Sequence, residues 1–256
     1  MNNNVYKKEK LNGKVAIVTG AAQGIGKAIA ERFAKEKINV FLIDIKDDIF
    51  AIAKELEKNN VFTKAIKADL TDKKKLKKIV SLVKDNAGKI DILVNCAGVV
   101  FLDNVVNLSE EYWDKTIAVN LKAPFLLSQA VAKVMIENNS GGKILNIASQ
   151  AGVVAIDKHV AYCVSKAGLI SMTKVFAIEL SKYNIQVNAI SPTVILTELG
   201  KKAWAGKKGE KMKKKIPAGR FGYPEEVAAA AYFLVNDEVN LITGENLVMD
   251  GGYTIQ

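Results

Sequence analysis

The chain has 256 residues, a formal net charge of +10, two cysteines and one histidine. Its length suits one large core, and two cysteines without metal-ligand neighbours exclude a disulfide framework and a zinc module. No apolar run approaches the ~20 residues that a bilayer span needs, and Met1 to Lys10 lacks the apolar centre of a signal peptide, so a cytoplasmic protein with no membrane partner is expected.

Behind a polar tail over 1–12, the apolar run Val15 to Thr19 leads into Gly20-Ala-Ala-Gln23-Gly24-Ile25-Gly26, and helically spaced apolar residues follow from Lys27 to Ala34. Strand, glycine turn and helix in that order suit a dinucleotide. Glycine lets the backbone approach a pyrophosphate, and the helix N-terminus presents free N–H groups to it. The second strand, Asn39 to Asp44, ends in a carboxylate at about the distance expected of a ribose-binding acid. Asp44 can accept from both ribose hydroxyls, whereas a 2′-phosphate at ~4 Å would meet it as a like charge costing about 4 kcal/mol. Lys27 and Lys46 offset at most ~1 kcal/mol of that. NAD is therefore expected over NADP. Ala68-Asp69-Leu70 reads as the end of a third strand and Val94-Asn95 as the end of a fourth, which puts Asp69 and Leu70 beside the adenine and Asn95, Ala97 and Gly98 on the cofactor floor.

A helical pattern runs from about Glu110 to Asn138 and carries Asn120. The apolar run from Lys143 leads to Ser149, and a helix carrying Tyr162 and Lys166 reaches Ser181. Strand Ile185 to Ile190, helix Pro224 to Val235 and a last strand near Glu245 to Met249 continue the alternation. Pro224 suits a helix's first turn, with Glu225 and Glu226 at its positive end. Alternation without a linker predicts one domain over 1–256, an α/β doubly wound parallel sheet with helices on both faces.

Tyr162 and Lys166 stand about one helical turn apart, so phenol and ammonium share a face. An unperturbed Tyr has a pKa near ~10, and acting as a base at neutral pH requires roughly 4 kcal/mol of differential stabilisation. A close Lys⁺ with a cationic nicotinamide would supply it. The Ser149 hydroxyl can hold the substrate oxygen whose charge changes in the transition state. Together these residues read as hydride transfer at a carbinol or carbonyl.

The ordered motifs Thr19-Gly-Ala-Ala-Gln-Gly-Ile-Gly26, Asn95-Cys-Ala-Gly98, Asn120, Ser149, Tyr162-Cys-Val-Ser-Lys166 and Asp250-Gly-Gly252 resemble the short-chain dehydrogenases/reductases over essentially the whole chain. The resemblance implies a Rossmann-type domain in which Tyr162 is the acid/base, Ser149 polarises the substrate oxygen, Lys166 holds the nicotinamide ribose and Asn120 carries a relay water. It also places Pro192, Val194 and Thr197 on the cofactor, although Thr193 stands where many members have glycine. A substrate lid is expected over about 194–220.

Pro192-Thr193-Val194, Gln150 after the serine, His159 before the tyrosine and the lid residue Trp204 resemble the xylulose-reductase and polyol-dehydrogenase branch. Gln150 and His159 offer directional hydrogen bonds, and an indole packs on a sugar's C–H face. With Asp44, the resemblance implies an NAD-dependent oxidoreductase interconverting a C4–C5 polyol and its ketose. A 3-oxoacyl-[acyl-carrier-protein] reductase and a non-catalytic NAD sensor are the other readings of these residues. The lysine runs at 73–75, 77–78 and 213–215 lack interleaved aromatics and read as solvated surface, not a nucleic-acid face, while a basic lid over 201–215 hints at an anionic substrate or an acidic carrier. By resemblance alone the chain forms a homotetramer, and its ending at Gln256 resembles members whose terminal residue helps hold a structural magnesium. No acidic cluster accompanies Gln256, so no metal is expected.

Overall fold

A computed structural model describes residues 13–256, and the polar tail expected over 1–12 lies outside the described residues. Among these, the strands β1 (Val15–Thr19), β2 (Asn39–Asp44), β3 (Thr63–Lys67), β4 (Ile92–Asn95), β5 (Gly142–Ile147), β6 (Ile185–Pro192) and β7 (Asn246–Met249) form one sheet. Its order is β3-β2-β1-β4-β5-β6-β7, and every pairing is parallel. Parallel neighbours require crossovers over a sheet face. These carry α1 (Gly24–Lys35), α2 (Asp48–Leu56), α3 (Lys73–Ala87), α4 (Glu110–Ile117), α5 (Ala123–Glu137), α6 (Val160–Leu180), α7 (Glu198–Ala203), α8 (Lys207–Lys213) and α9 (Pro224–Val235).

Side chains of β1 alternate between two cores, as the two-residue period of a strand requires. Ala16 and Val18 pack with Ile29 and Phe33 of α1, Ile52 of α2 and Val227 and Leu234 of α9. Val15 and Ile17 pack with Leu76 and Val83 of α3, Leu127 and Val131 of α5 and Ala177 of α6. Burial on both faces explains why the strands read as nearly unbroken apolar runs.

The chain moves outward from β1 to β3 and then returns to β4 on the other side of β1. That reversal opens a crevice at the C-terminal ends of β1 and β4. The Thr19 hydroxyl closes its floor, donating to the Val94 carbonyl at 3.2 Å and accepting from the Cys96 and Ala97 amides at 2.9 and 3.1 Å. Gly20 sits here at φ +67°, and a Cβ on it would lie 2.9 Å from the Ala97 backbone, so the two turns meet only because the side chain is missing.

Several boundaries differ from the sequence reading. β3 stops at Lys67, leaving Asp69 and Leu70 in the following turn. The single helix expected near 110–138 is two helices joined by a π turn, Ala118–Lys122, which carries Asn120. The last strand begins at Asn246. One helix among the described residues, Val160–Tyr183, is long and apolar enough to cross a membrane by length and composition alone, an 18-residue window in it reaching a mean hydropathy of 1.2, but Lys166 and Lys174 interrupt it and the unbroken apolar runs stay short, as expected. This helix packs on β6 and also presents an apolar outer side, with Val164, Val175 and Ile178 exposed.

A buried polar chain sets α5 and α6 against the sheet. The Asn95 amide donates to Ser128 Oγ at 2.9 Å and Asn146 Oδ1 at 2.8 Å, Asn146 donates to Thr173 Oγ1 at 2.9 Å, and Thr173 donates to the Leu169 carbonyl at 2.8 Å. Asn146→Ala strands the Asn95 amide and the Thr173 hydroxyl, so it lowers stability by about 2 kcal/mol, read as a lower urea midpoint at unchanged slope. A shift below about 0.5 kcal/mol would show that the network contributes no net stability.

Candidate active site

The N-terminus of α1 is built to receive an anion. Gln23, its N-cap, makes no side-chain cap, and the first turn holds no carboxylate, so nothing competes for the N–H groups of Gly24, Ile25 and Gly26. Ile25 packs against the core and fixes the turn. The Asp44 carboxylate stands beside this turn, accepting from the Ala22 amide at 3.0 Å and the Lys46 amide at 3.1 Å. Lys46 Nζ is turned onto Gln23 Oε1 at 2.7 Å and Lys27 faces Glu31 at 3.5 Å, so neither ammonium neutralises Asp44. A free carboxylate beside a phosphate cradle fits a dinucleotide whose adenosine ribose bears hydroxyls.

The remaining cofactor candidates divide by what their side chains do. Asp69 is exposed, one oxygen accepting from the Thr71 amide and hydroxyl at 2.9 and 2.8 Å, and these bonds hold its carboxyl below the usual range. Leu70 belongs to the core, so only its backbone can meet a ligand. The Asn95 side chain is committed to the buried chain under the sheet's edge, and the turn after it, through Ala97 and Gly98, is what faces the crevice. Gly98 abuts the catalytic candidates: a Cβ there would lie 3.4 Å from Asn120 Oδ1 and 3.7 Å from Lys166 Nζ. Pro192 ends β6 and is buried. Thr197 caps α7 through Gly200 at 3.0 Å, and its methyl lies 2.9 Å from where a Gly24 Cβ would be, joining the lid to the glycine turn.

Asn120, Ser149, Tyr162 and Lys166 come together from three segments. The π turn holds Asn120 buried, its amide exchanging two 2.8 Å bonds with the Val99 backbone and reaching Ser165 Oγ at 3.2 Å. Ser149 follows β5 and starts a short 3₁₀ turn, accepting from the Ala151 amide at 3.1 Å. Gly152 ends that turn against α6, where a Cβ would sit 2.7 Å from the Lys166 carbonyl carbon. This close approach sets the Ser149 hydroxyl beside the Tyr162 phenol in the wall of one cavity.

The electrostatics correct one expectation. Lys166 Nζ donates to the Ile147 carbonyl at 2.7 Å and lies 5.6 Å from the Tyr162 ring centroid. Burial pushes the Lys166 ammonium down to about 8 and is also the main cause of a raised Tyr162 pKa, which the Ser149 hydroxyl only partly opposes. In the chain itself Lys166 therefore leaves the phenol weakly acidic. Burial likewise pushes the neighbouring Cys96 thiol up to about 12, which makes it an inert neighbour.

Ser149 and Tyr162 open into a cavity of about 850 Å³ that Gln150, His159, Val194 and Trp204 also line. His159 Nδ1 lies 2.6 Å from the Asp157 carbonyl, an acceptor only, so Nδ1 carries the proton and Nε2 is the acceptor in the neutral ring. Trp204 leans on Phe221, ring centroids 5.9 Å apart. Sequence reasoning did not include Thr193 among the site residues, although its departure from the family glycine was the available signal. Thr193 and Gln150 line the cavity, and their Oγ1 and Oε1 atoms are buried without a hydrogen-bond partner among the described residues. Tyr253, Met212 and four lid lysines also enter the wall. No cluster of three or more metal-ligating side chains occurs among the described residues, and the Gln256 amide donates to the Lys215 carbonyl.

A family model described as Enoyl-(Acyl carrier protein) reductase matches residues 20–254. The chain is 58% identical over 246 residues to an NAD-dependent glycerol dehydrogenase of Listeria innocua serovar 6a, covering 96% of each chain. It is 48% identical over 248 residues to a D-threitol dehydrogenase of Mycolicibacterium smegmatis, covering 96% of this chain and 95% of that one. Among solved structures, an NAD⁺-bound xylitol dehydrogenase superposes with a TM-score of 0.90 at 30% identity, over 95% of this chain and 100% of that one. The ordered glycine turn, Asn120, Ser149, Tyr162 and Lys166, set on a seven-stranded parallel sheet, thus identify the chain as an oxidoreductase that belongs to the short-chain dehydrogenase/reductase family.

Proposed function

We propose that this enzyme is an NAD-dependent dehydrogenase that interconverts a short polyol, from glycerol to a pentitol, with its ketose in the cytoplasm. One observation carries the reading: Gln150 and Thr193 line the same cavity as Ser149 and Tyr162. With His159 they offer a polyol several directional partners, where a plain secondary alcohol has one. The names of the glycerol and D-threitol dehydrogenase relatives support the same class.

When bound, NAD supplies the hydride acceptor, held by the α1 N-terminus, Asp44 and Lys166. The other steps belong to the chain. Ser149 Oγ holds the carbinol oxygen beside the Tyr162 phenolate. As the C–H bond gives up its hydride, Tyr162 takes the hydroxyl proton, leaving a ketone. That proton would leave toward solvent by way of Lys166 and a water carried by Asn120. Burial raises the phenol pKa, which the Ser149 hydroxyl opposes, and a cationic nicotinamide held beside it would lower it further.

The outer side of α6 supports a homotetramer: Val164, Val175 and Ile178 are exposed there, with Phe125 of α5 set edge-on to Phe176. Contiguous apolar surface of this kind commonly marks an interface. The basic lid keeps a 3-oxoacyl-[acyl-carrier-protein] reductase, which would dock an acidic carrier, as the second reading.

With saturating NAD, wild-type enzyme should form NADH from one short polyol in preference to simple secondary alcohols, and Tyr162→Phe should lose about 100- to 10,000-fold in kcat. Acetoacetyl thioesters reduced with NADPH faster than any polyol is oxidised would transfer the assignment to the second reading. For the cofactor, kcat/KM with NAD should exceed that with NADP by at least about 100-fold, and Asp44→Ala should bring the ratio within about tenfold; equal use by the wild type would remove Asp44 from the argument. Sedimentation velocity should give a particle of four chains, and a monomer would refute the assembly.

A further inference from the structure

We propose that the mouth of the substrate cavity is an oxyanion site, and that the preferred carbinol carries a phosphate or carboxylate on the end remote from the reacting carbon. The second half rests on the polyol reading.

Residues 198–215 hold eight lysines against two glutamates, a net +6 of the chain's +10. Both glutamates are committed, Glu198 to Lys201 and Glu210 to Lys213, each at 2.8 Å. Lys207, Lys208, Lys211 and Lys215 line the cavity that contains Ser149 and Tyr162. Among the described residues no carboxylate lies within 4.0 Å of any of the four, and Asp157 is the one acidic side chain in the wall.

The arrangement follows from spacing. Residues 207, 211 and 215 recur every four positions, so they follow one side of α8 and its extension. Lys208 is held over the Trp204 ring at 4.6 Å, and the Gln256 amide anchors the Lys215 backbone. Four like charges around one opening repel one another, and an anion between them relieves that repulsion. By contrast, the lysines at 73–75 and 77–78 on α3 are exposed and line no such cavity.

The site is separate from the pyrophosphate cradle, because no residue of the Gly20–Gly26 turn lines this cavity. An anionic group on the molecule whose carbinol reaches Tyr162 can therefore meet these lysines without displacing the cofactor's pyrophosphate. Point-charge ammonium groups accept phosphate and carboxylate alike, so the lysines define the charge and leave the headgroup open.

The test compares glycerol with glycerol 3-phosphate and glycerate, and threitol with threitol 4-phosphate and threonate, all at saturating NAD. The anionic partner of a pair should show at least about tenfold higher kcat/KM, and inorganic phosphate should compete with the neutral polyol. Lys211→Ala and Lys215→Ala should each raise KM for the anionic substrate about fivefold with kcat retained, while Lys77→Ala on α3 changes neither. Phosphate preferred over carboxylate, or the reverse, identifies the headgroup. In a Trp113→Phe background, phosphate titration should also shift Trp204 emission, a readout independent of turnover. Neutral polyols oxidised as well as their anionic partners, with no phosphate effect on Trp204, would overturn the oxyanion site and leave the polyol reading intact. If no polyol of either kind is oxidised while phosphate still shifts Trp204, the site stands and the polyol reading falls.

Discussion

Lys166 is an ammonium inside the protein, and the catalytic half of the molecule is arranged around the carbonyl that holds it. Removing a charge from water without a partner costs several kcal/mol, so the 2.7 Å bond to Ile147 ties α6 to the end of β5. The Asn95–Asn146–Thr173 chain fixes the same pair of elements from beneath, and the missing side chain of Gly152 lets the Ser149 turn come up against them. Once α6 lies there, Tyr162 has little choice but to face Ser149. The order of the sheet does the rest, since its reversal between β1 and β4 puts the glycine turn at the same edge.

That edge is where the molecule accepts local disadvantage. Asn120 sits in a π turn, an interruption that frequently accompanies functional sites. Burial moves Tyr162 and Lys166 toward their neutral forms, and Gln150 and Thr193 keep polar atoms unpaired in the cavity wall. Each departure costs stability in the empty chain. The lid adds a fourth departure, with lysines collected beyond what their own glutamates neutralise.

Much of this was legible in the sequence because it depends on local pattern. The apolar runs of β1, β2 and β4, the glycine turn and the spacing of Tyr162 and Lys166 each act over a few residues, and the structure keeps them where the pattern put them. Asp44 was legible for the same reason, as the residue that ends β2. The π turn was not, since a helix pattern from Glu110 to Asn138 looks continuous whether or not one turn is widened.

By itself, then, the sequence determined the alternation of strands and helices, the anion-receiving turn, the acid beside it and the residue types needed for proton transfer, because propensity and periodicity are short-range properties. Tertiary structure alone decided that the Asn95 side chain is bonded into the core, that Lys166 answers to Ile147 before Tyr162, and that Thr193 and four lid lysines share a cavity with Ser149. Those are matters of distance between segments far apart in the chain. Burial, which sets both the cost of an unpaired polar atom and the direction of a pKa shift, exists only once those segments have packed.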